Sequence, residues 1–227
     1  MREQDLQRLN KFTTSAKDPY FLVYRTMNRA FEKARQYARG ELLDIGCGNK
    51  PYEKMFPRVT RYVGCDVVQS SDRRADVLAQ ATNVPFCADS FHTVFSSQVI
   101  EHVAEHQKIF AEAYRVLKED GCFIVSGPMY WHLHEEPHDY FRFTKYGLQF
   151  LFQTVGFEVV EIIPNGGKWA LLGQVALHTI QDTRLNRPFV VRWINRLFAI
   201  LDDKKFDPIN TINYVAVGRK VITAPER

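Results

Sequence analysis

One segment constrains this chain more than any other: a short apolar run that breaks on two glycines, Glu41-Leu42-Leu43-Asp44-Ile45-Gly46-Cys47-Gly48. An apolar run of this length bounded by glycine reads as a buried strand. Glycine has no Cβ, so the backbone can turn sharply there and approach a ligand closely. About twenty residues later Arg61-Tyr62-Val63-Gly64-Cys65-Asp66-Val67 makes a second such run, with an acid at its end. Strand, glycine turn and a second strand closing on a carboxylate are the first half of a doubly wound sheet. In such sheets ligands bind beyond the carboxyl ends of the strands, at the point where strand order reverses.

The rest of the chain continues the alternation. Residues 20–39 carry Phe21, Tyr24, Met27, Phe31, Ala34 and Ala38 at helical spacing, with Gly40 as the stop. Residues 94–97 read as a third strand. Residues 105–118 read as a helix with Ile109, Phe110, Ala113, Val116 and Leu117 on its inner face and Gly121 at its stop. Residues 122–125 are a strand ended by Gly127-Pro128, 148–155 a helix, 157–163 a strand and 213–218 the last strand. The alternation implies a mostly parallel sheet covered on both faces. Hydrophobic residues at 45% and charged residues at 25% of 227 exclude a disordered chain and fit one α/β domain with an insertion. The net charge of +4 is too small and too evenly spread to argue for nucleic acid. Cys47, Cys65, Cys87 and Cys122 form no CxxC pair and read as reduced thiols of a cytoplasmic protein. Residues 1–19 read as polar and loosely docked, with no signal-peptide pattern.

The ligand chemistry follows from three positions. A dinucleotide site wants a third glycine, but Gly46-Cys47-Gly48-Asn49-Lys50-Pro51 puts proline there. Asp44 stands two residues before the first glycine, where it would repel a pyrophosphate. An aminoacyl sulfonium carries no phosphate and has a cationic amine that an acid can hold, and Asp66 can accept both ribose hydroxyls of an adenosine. The local chemistry therefore favours S-adenosylmethionine over NAD.

Taken with Ala81-Thr82-Asn83-Val84-Pro85-Phe86, Val99-Ile100-Glu101-His102-Val103 and Glu112-Ala113-Tyr114-Arg115-Val116-Leu117-Lys118, these segments resemble the class I S-adenosylmethionine-dependent methyltransferases over roughly residues 20–163. The resemblance implies a Rossmann-like, doubly wound seven-stranded α/β sheet whose last strand is antiparallel. It implies a cofactor site of Asp44, Gly46, Cys47, Gly48, Asp66, Val67, Gln80, Ala81 and Ser97. Gln80 stands where the family often has Asp; its carbonyl can accept the same bond from adenine without the charge. Within residues 1–227 the reading divides into an N-terminal helix or lid (20–40), a cofactor-binding core (41–163), a helical insertion (168–207) and the last strand. His92 reads as a strand-start residue and Glu101-His102 as a helix-start pair or a functional one.

Methyl transfer from a sulfonium needs an aligned acceptor and no general acid; a base helps when the acceptor is a hydroxyl or amine. The stretch after residues 122–125, Met129 to Thr144, is dense in polar aromatics and holds His132, His134, Glu135, Glu136, His138 and Asp139. His138 is the candidate base, oriented by Asp139 or Glu135, with His134 second. No spacing here is diagnostic of a metal, and none is assigned. The run Pro137-His138-Asp139-Tyr140-Phe141-Arg142-Phe143-Thr144 resembles a subgroup among bacterial surface-polysaccharide and glycan-modifying enzymes. This implies a small-molecule or glycan acceptor, sugar-containing or lipid-linked; no basic stripe with interleaved aromatics is present, so no nucleic acid is expected. In the insertion, Val190, Trp193, Ile194, Leu197, Phe198 and Leu201 read as one face of a helix, with Arg192, Asn195 and Arg196 opposite. That pattern permits packing on the sheet, a homodimer interface, or peripheral docking of 168–201 on the inner membrane surface. The rival readings are a non-catalytic partner subunit of the same fold and an RNA or protein methyltransferase.

Overall fold

The run at the glycine turn is strand β1 (Gly40–Ile45), whose last four residues are buried. It pairs in parallel with β2 (Val59–Asp66) on one side and β4 (Phe91–Ser97) on the other. A two-residue strand, β3 (Val77–Leu78), extends the sheet beyond β2, and β5 (Leu117–Pro128) runs parallel to β4. The chain then reverses: β7 (Asn213–Lys220) lies antiparallel between β5 and β6 (Phe157–Asn165). This computed structural model describes residues 15–70 and 72–221, and its sheet order is β3-β2-β1-β4-β5-β7-β6. The doubly wound seven-stranded sheet with an antiparallel last strand is therefore as expected. The polar stretch read at 1–19 lies largely outside the described residues.

Both faces are covered, which is why the central strands read as continuous apolar runs. On one face helix α1 (Phe21–Ala34) lays Phe31 edge-on against Phe95 and Tyr52, with ring centroids 5.1 and 4.7 Å apart. On the other, α2 (His106–Val116) and α3 (Lys145–Thr154) pack Phe110 against Phe123 and Phe152 at 5.3 and 5.1 Å. Thr144 caps α3, its hydroxyl accepting from the Gly147 N–H at 3.0 Å.

Three details differ from the sequence reading. Helix α2 stops at Val116 and β5 starts at once, the left-handed residue being Asp120 (φ 58°), not Gly121. Strand β3 is too short to show any periodicity. The insertion is a hairpin of α4 (Lys168–Ile180) and α5 (Pro188–Lys204) that packs on α1 rather than on the sheet, through Leu22, Leu177, Val191 and Ala199. The faces of α5 are also rotated. Asn195 is fully buried, donating to the Ala16 and Asp18 carbonyls at 3.0 and 2.8 Å, while Trp193 is 69% exposed. The seam with α1 and α4 is lined by Val191, Asn195, Ala199 and Asp202, side chains small enough to let the helices approach, and it leaves the indole outside. Asp202 closes the N-terminus of α4, accepting from Gly167 and Ala170 N–H groups at 3.3 and 3.2 Å. No helix among the described residues is long and apolar enough to cross a membrane.

Candidate active site

The turn after β1 is fixed by backbone geometry. Gly46 has φ 76°, and a Cβ there would sit inside the Val99 side chain. Its N–H and that of Cys47 donate to the Cys65 carbonyl at 2.8 and 3.1 Å, tying the turn to the end of β2. Lys50 is buried and reaches across β2 at Gly64 to pair with Asp76 at 2.5 Å. A Cβ on Gly64 would come within 2.7 Å of the Cys47 sulfur, so this crossing requires glycine. The Lys50 ammonium is thereby committed inside the protein. No α-helix follows the turn; Glu53–Met55 make only a short 3-10 turn. The pyrophosphate-binding helix N-terminus of a dinucleotide site is therefore missing from this rim.

Two acids stand at the strand ends. Asp44 is buried and accepts from the Tyr62 hydroxyl at 2.6 Å. Burial raises its pKa to about 7, with the Asp66 charge adding to the rise and Tyr62 and Lys50 opposing it. Asp66 accepts from the Gly48 N–H at 2.9 Å and the Val68 N–H at 3.2 Å, which aims its carboxylate out over the turn. Burial pushes the Cys65 thiol up to about 11 and the Cys47 thiol higher still, so neither is a nucleophile.

Two cavities open beyond these strand ends. The larger, about 610 Å³, is walled by Gly48, Asp66, Val67, Gln80, Ala81, Val103 and His138 among others. The smaller, about 150 Å³, is lined by Tyr20, Tyr24, Tyr52, Trp131 and His134, with Asp44 and Cys47 at its floor. They share Gly46, Ser97, Gln98, His102 and Glu135. All nine residues that the sequence reading assigned to a cofactor thus stand on the walls of this joined space. Two of the five shared residues, Gln98 (φ 56°) and Glu135 (φ 50°), have left-handed backbones. Such strain in non-glycine residues concentrates at working sites. His92 lies elsewhere, accepting from the Glu41 N–H at 3.2 Å.

The acceptor-side loop is organised by a residue to which the sequence reading gave no role. Arg142 clamps Asp139 with both guanidinium nitrogens, at 2.6 and 2.8 Å, and also donates to the carbonyls of Trp131, His132 and Phe141. Burial opposes the Asp139 charge, but the Arg142 fork and the His134 N–H hold it well below the usual carboxylate range. The free edge of Asp139 faces His134, at 3.1 Å from both its backbone N–H and its Nδ1. Asp139 therefore does not orient His138. The His138 ring instead meets the Tyr140 hydroxyl at 3.0 Å, on the side of the larger cavity. The expected His138–Asp139 pair is corrected to a His134–Asp139 pair facing the smaller cavity. Helix α4 backs the Trp131 wall of the same cavity: His178 packs edge-on against Trp131 at 4.7 Å and meets His132 at 3.3 Å.

Comparison with known proteins agrees with this geometry. Residues 43–125 match the family described as a methyltransferase domain. No curated protein sequence matches the chain significantly. Among solved structures, the cyclase SpnF aligns at 20% identity with a TM-score of 0.60, over 86% of this chain and 81% of that one. A SAM-dependent methyltransferase from Archaeoglobus fulgidus aligns at 17% identity and TM-score 0.56, over 86% and 94%. Phosphoethanolamine N-methyltransferase 2 of Haemonchus contortus, in complex with S-adenosyl-L-methionine, aligns at 19% identity and TM-score 0.55, over 86% and 52%. The fold is that of the class I methyltransferases, and residues 43–125 match a methyltransferase domain. The cofactor that this likeness implies is S-adenosylmethionine.

The residues present fit that group. The buried Asp44 carboxyl is the kind of acid a cationic amine stabilises in its charged form. The larger cavity carries the outward-aimed Asp66 and, at Gln80 and Ala81, a side-chain carbonyl beside a small side chain.

Proposed function

We propose that the enzyme methylates a small molecule or sugar seated in the aromatic cavity. The observation that carries this reading is the meeting of the two cavities along Gly46, Ser97, Gln98, His102 and Glu135. Lying along the larger cavity with its amino-acid end at the floor of the smaller one, the cofactor would supply an electrophilic methyl group on a sulfonium with a neutral thioether to leave. Asp66 would hold the ribose hydroxyls, and Gln80 and Ala81, with Val67 on the same wall, would flank the adenine. Asp44 would hold the amine, with the Gly46-Cys47-Gly48 backbone and Ser97 around the methionine portion. The chain's task on the other side is alignment, which in a closed site supplies most of the acceleration.

The aromatic cavity is small and lined by Tyr20, Tyr24, Tyr52 and Trp131. Its shape suits a sugar ring or small molecule, with C–H faces against the rings and hydroxyls toward polar groups. It does not suit a folded nucleic acid. His134, held by Asp139, faces this cavity and meets the acceptor's nucleophilic atom. His134→Ala is expected to lower single-turnover transfer at least 100-fold at saturating cofactor, leaving cofactor affinity within threefold. An unchanged rate would remove the assignment. A mass-shift screen of candidate acceptors with labelled cofactor identifies the substrate. Absence of S-adenosylmethionine binding by calorimetry would instead favour a non-catalytic partner subunit.

A second reading rests on α5. Phe189, Trp193, Leu197 and Ile200 project from it into solvent, on the helix that also carries Arg192 and Arg196. This arrangement supports peripheral contact with an anionic membrane, which would bring a lipid-linked acceptor to the cavity. Flotation with anionic vesicles at low salt tests it: protein left at the bottom of the gradient removes the reading.

A further inference from the structure

At the junction of the two cavities four side chains converge from separate segments, in an arrangement that hydrogen bonding leaves unfinished. Glu101 and His102 come from the 3-10 turn Ile100–His102 after β4, and His134 and Glu135 from the acceptor-side loop. Glu101 is fully buried, and neither of its carboxylate oxygens has a hydrogen-bond partner. Leaving a buried carboxylate unpartnered is costly, so such a group calls for an explanation. One donor atom from each of Glu101, His102 and His134 lies within 4.8 Å of the others. The His102 Nε2 stands 4.0 Å from Glu101 Oε1 and 3.9 Å from Glu135 Oε2. These spacings are too long for hydrogen bonds and leave room for a shared ion. First-row cations bind nitrogen and oxygen donors at about 2.1 Å, so the donors need close by less than about 1 Å.

The outer contacts point the same way. His102 Nδ1 lies 2.9 Å from the His138 backbone carbonyl, and His134 Nδ1 lies 3.1 Å from the Asp139 carboxylate. In both rings the Nδ1 is therefore held by an acceptor, which leaves Nε2 as the unprotonated, outward nitrogen. That carbonyl–histidine and carboxylate–histidine support is how proteins orient imidazoles toward metals. The Arg142 clamp on Asp139 adds a third layer.

We propose that Glu101, His102 and His134, with Glu135 beside them, bind one first-row divalent transition-metal cation. Two imidazoles and two carboxylates without a thiolate suit zinc, manganese or iron(II). His102 and Glu135 line both cavities, so the ion sits where the acceptor meets the methyl donor and keeps a coordination position for an acceptor oxygen, which His134 then reaches through the ion and not as a free base. The placement of that oxygen rests on the proposed acceptor cavity; the ion site itself does not.

The test uses the full-length, untagged protein, stripped with chelator and titrated with Zn²⁺ by calorimetry. S-adenosylmethionine binding is measured on every variant as a check of fold. One equivalent of tight binding is expected. Glu101→Gln, nearly isosteric, and His134→Ala should each weaken it at least 100-fold. Asp139→Asn, which touches only the histidine, should weaken it about 10–100-fold. Cofactor affinity should stay within threefold throughout. No stoichiometric binding by the wild type overturns the proposal. So does binding that survives Glu101→Gln, or binding lost in His132→Ala and retained in His134→Ala, which would place the ion at the His132–His178 pair. Failure of wild-type cofactor binding would instead strike the methyltransferase reading and leave the ion measurement standing.

Discussion

The two rims of the joined cavity are built differently. The rim proposed for the cofactor is mainly backbone: Gly46 with positive φ, paired N–H groups on the Cys65 carbonyl, and Asp66 aimed by the N–H groups of Gly48 and Val68. Its parts lie at the ends of neighbouring parallel strands. The rim proposed for the acceptor is mainly side chain. Tyr20 and Tyr24 come from the start of α1, His102 from the turn after β4, Trp131 and His134 from the loop after β5, and His178 from α4. One guanidinium, Arg142, holds the loop together. A rim made of backbone tolerates changes in its neighbours. A rim made of side chains depends on its clamp.

The largest expected effect follows from that dependence. Asp139 is 2% exposed and Arg142 26%, so Arg142→Ala leaves a nearly buried carboxylate without its cationic partner, held only by His134. Urea unfolding should show a loss of about 3 kcal/mol. Cofactor affinity should change less than threefold, because no residue of the larger cavity bonds to Arg142. If cofactor binding collapses as well, the two rims are not separate units. Next in size is Asp66→Ala. Losing charged hydrogen bonds to two ribose hydroxyls should weaken S-adenosylmethionine binding by about 2 kcal/mol, roughly 30-fold in calorimetry. Stability should fall by less than about 1 kcal/mol, because only two surface-side N–H contacts are lost.

The same contrast explains what was legible in the sequence. The glycine turn, Asp66, Gln80, Ala81 and Ser97 are set by local backbone rules and strand ends, so their spacing along the chain carries them. The acceptor rim depends on long-range packing. Nothing near Asp139 in the sequence shows that its oxygens point to His134 rather than to its neighbour His138. Arg142, three residues on, was the available signal, since a buried acid beside an arginine is taken by it first. Glu101 was visible as an acid beside a histidine, but its burial without a partner exists only once the loop after β5 folds over it. The rotated face of α5 has the same origin. Asn195 is polar by composition and buried because the carbonyls of Ala16 and Asp18 wait beneath it.

A smaller effect separates charge from shape on the cofactor rim. In the free protein Asp44 titrates near pH 7 because burial disfavours its charge. Tyr62, Asp66 and Lys50 are the charged or titratable groups that act on it. A cationic amine needs the carboxylate form, so binding below pH 7 must expel a proton. S-adenosylmethionine affinity should therefore rise about tenfold per pH unit between pH 5 and 7 and level off above. Asp44→Asn should flatten that rise and leave the weak low-pH affinity at every pH. A wild-type profile flat from pH 5 to 7 would show that the amine does not meet Asp44.

The smallest expected effect falls on the residue that the sequence alone ranked first. His138 opens on the larger cavity, beside the wall that carries Gln80 and Ala81, and its ring is engaged by Tyr140. Its backbone carbonyl, not its side chain, supports His102. Deleting the ring therefore leaves both the His134–Asp139 pair and the His102 support in place. His138→Ala should change single-turnover transfer less than threefold and cofactor affinity by a similar factor, while His134→Ala changes the first and spares the second. A loss of 100-fold or more with His138→Ala would return the proton-accepting role to the cofactor side and join the two rims at that residue.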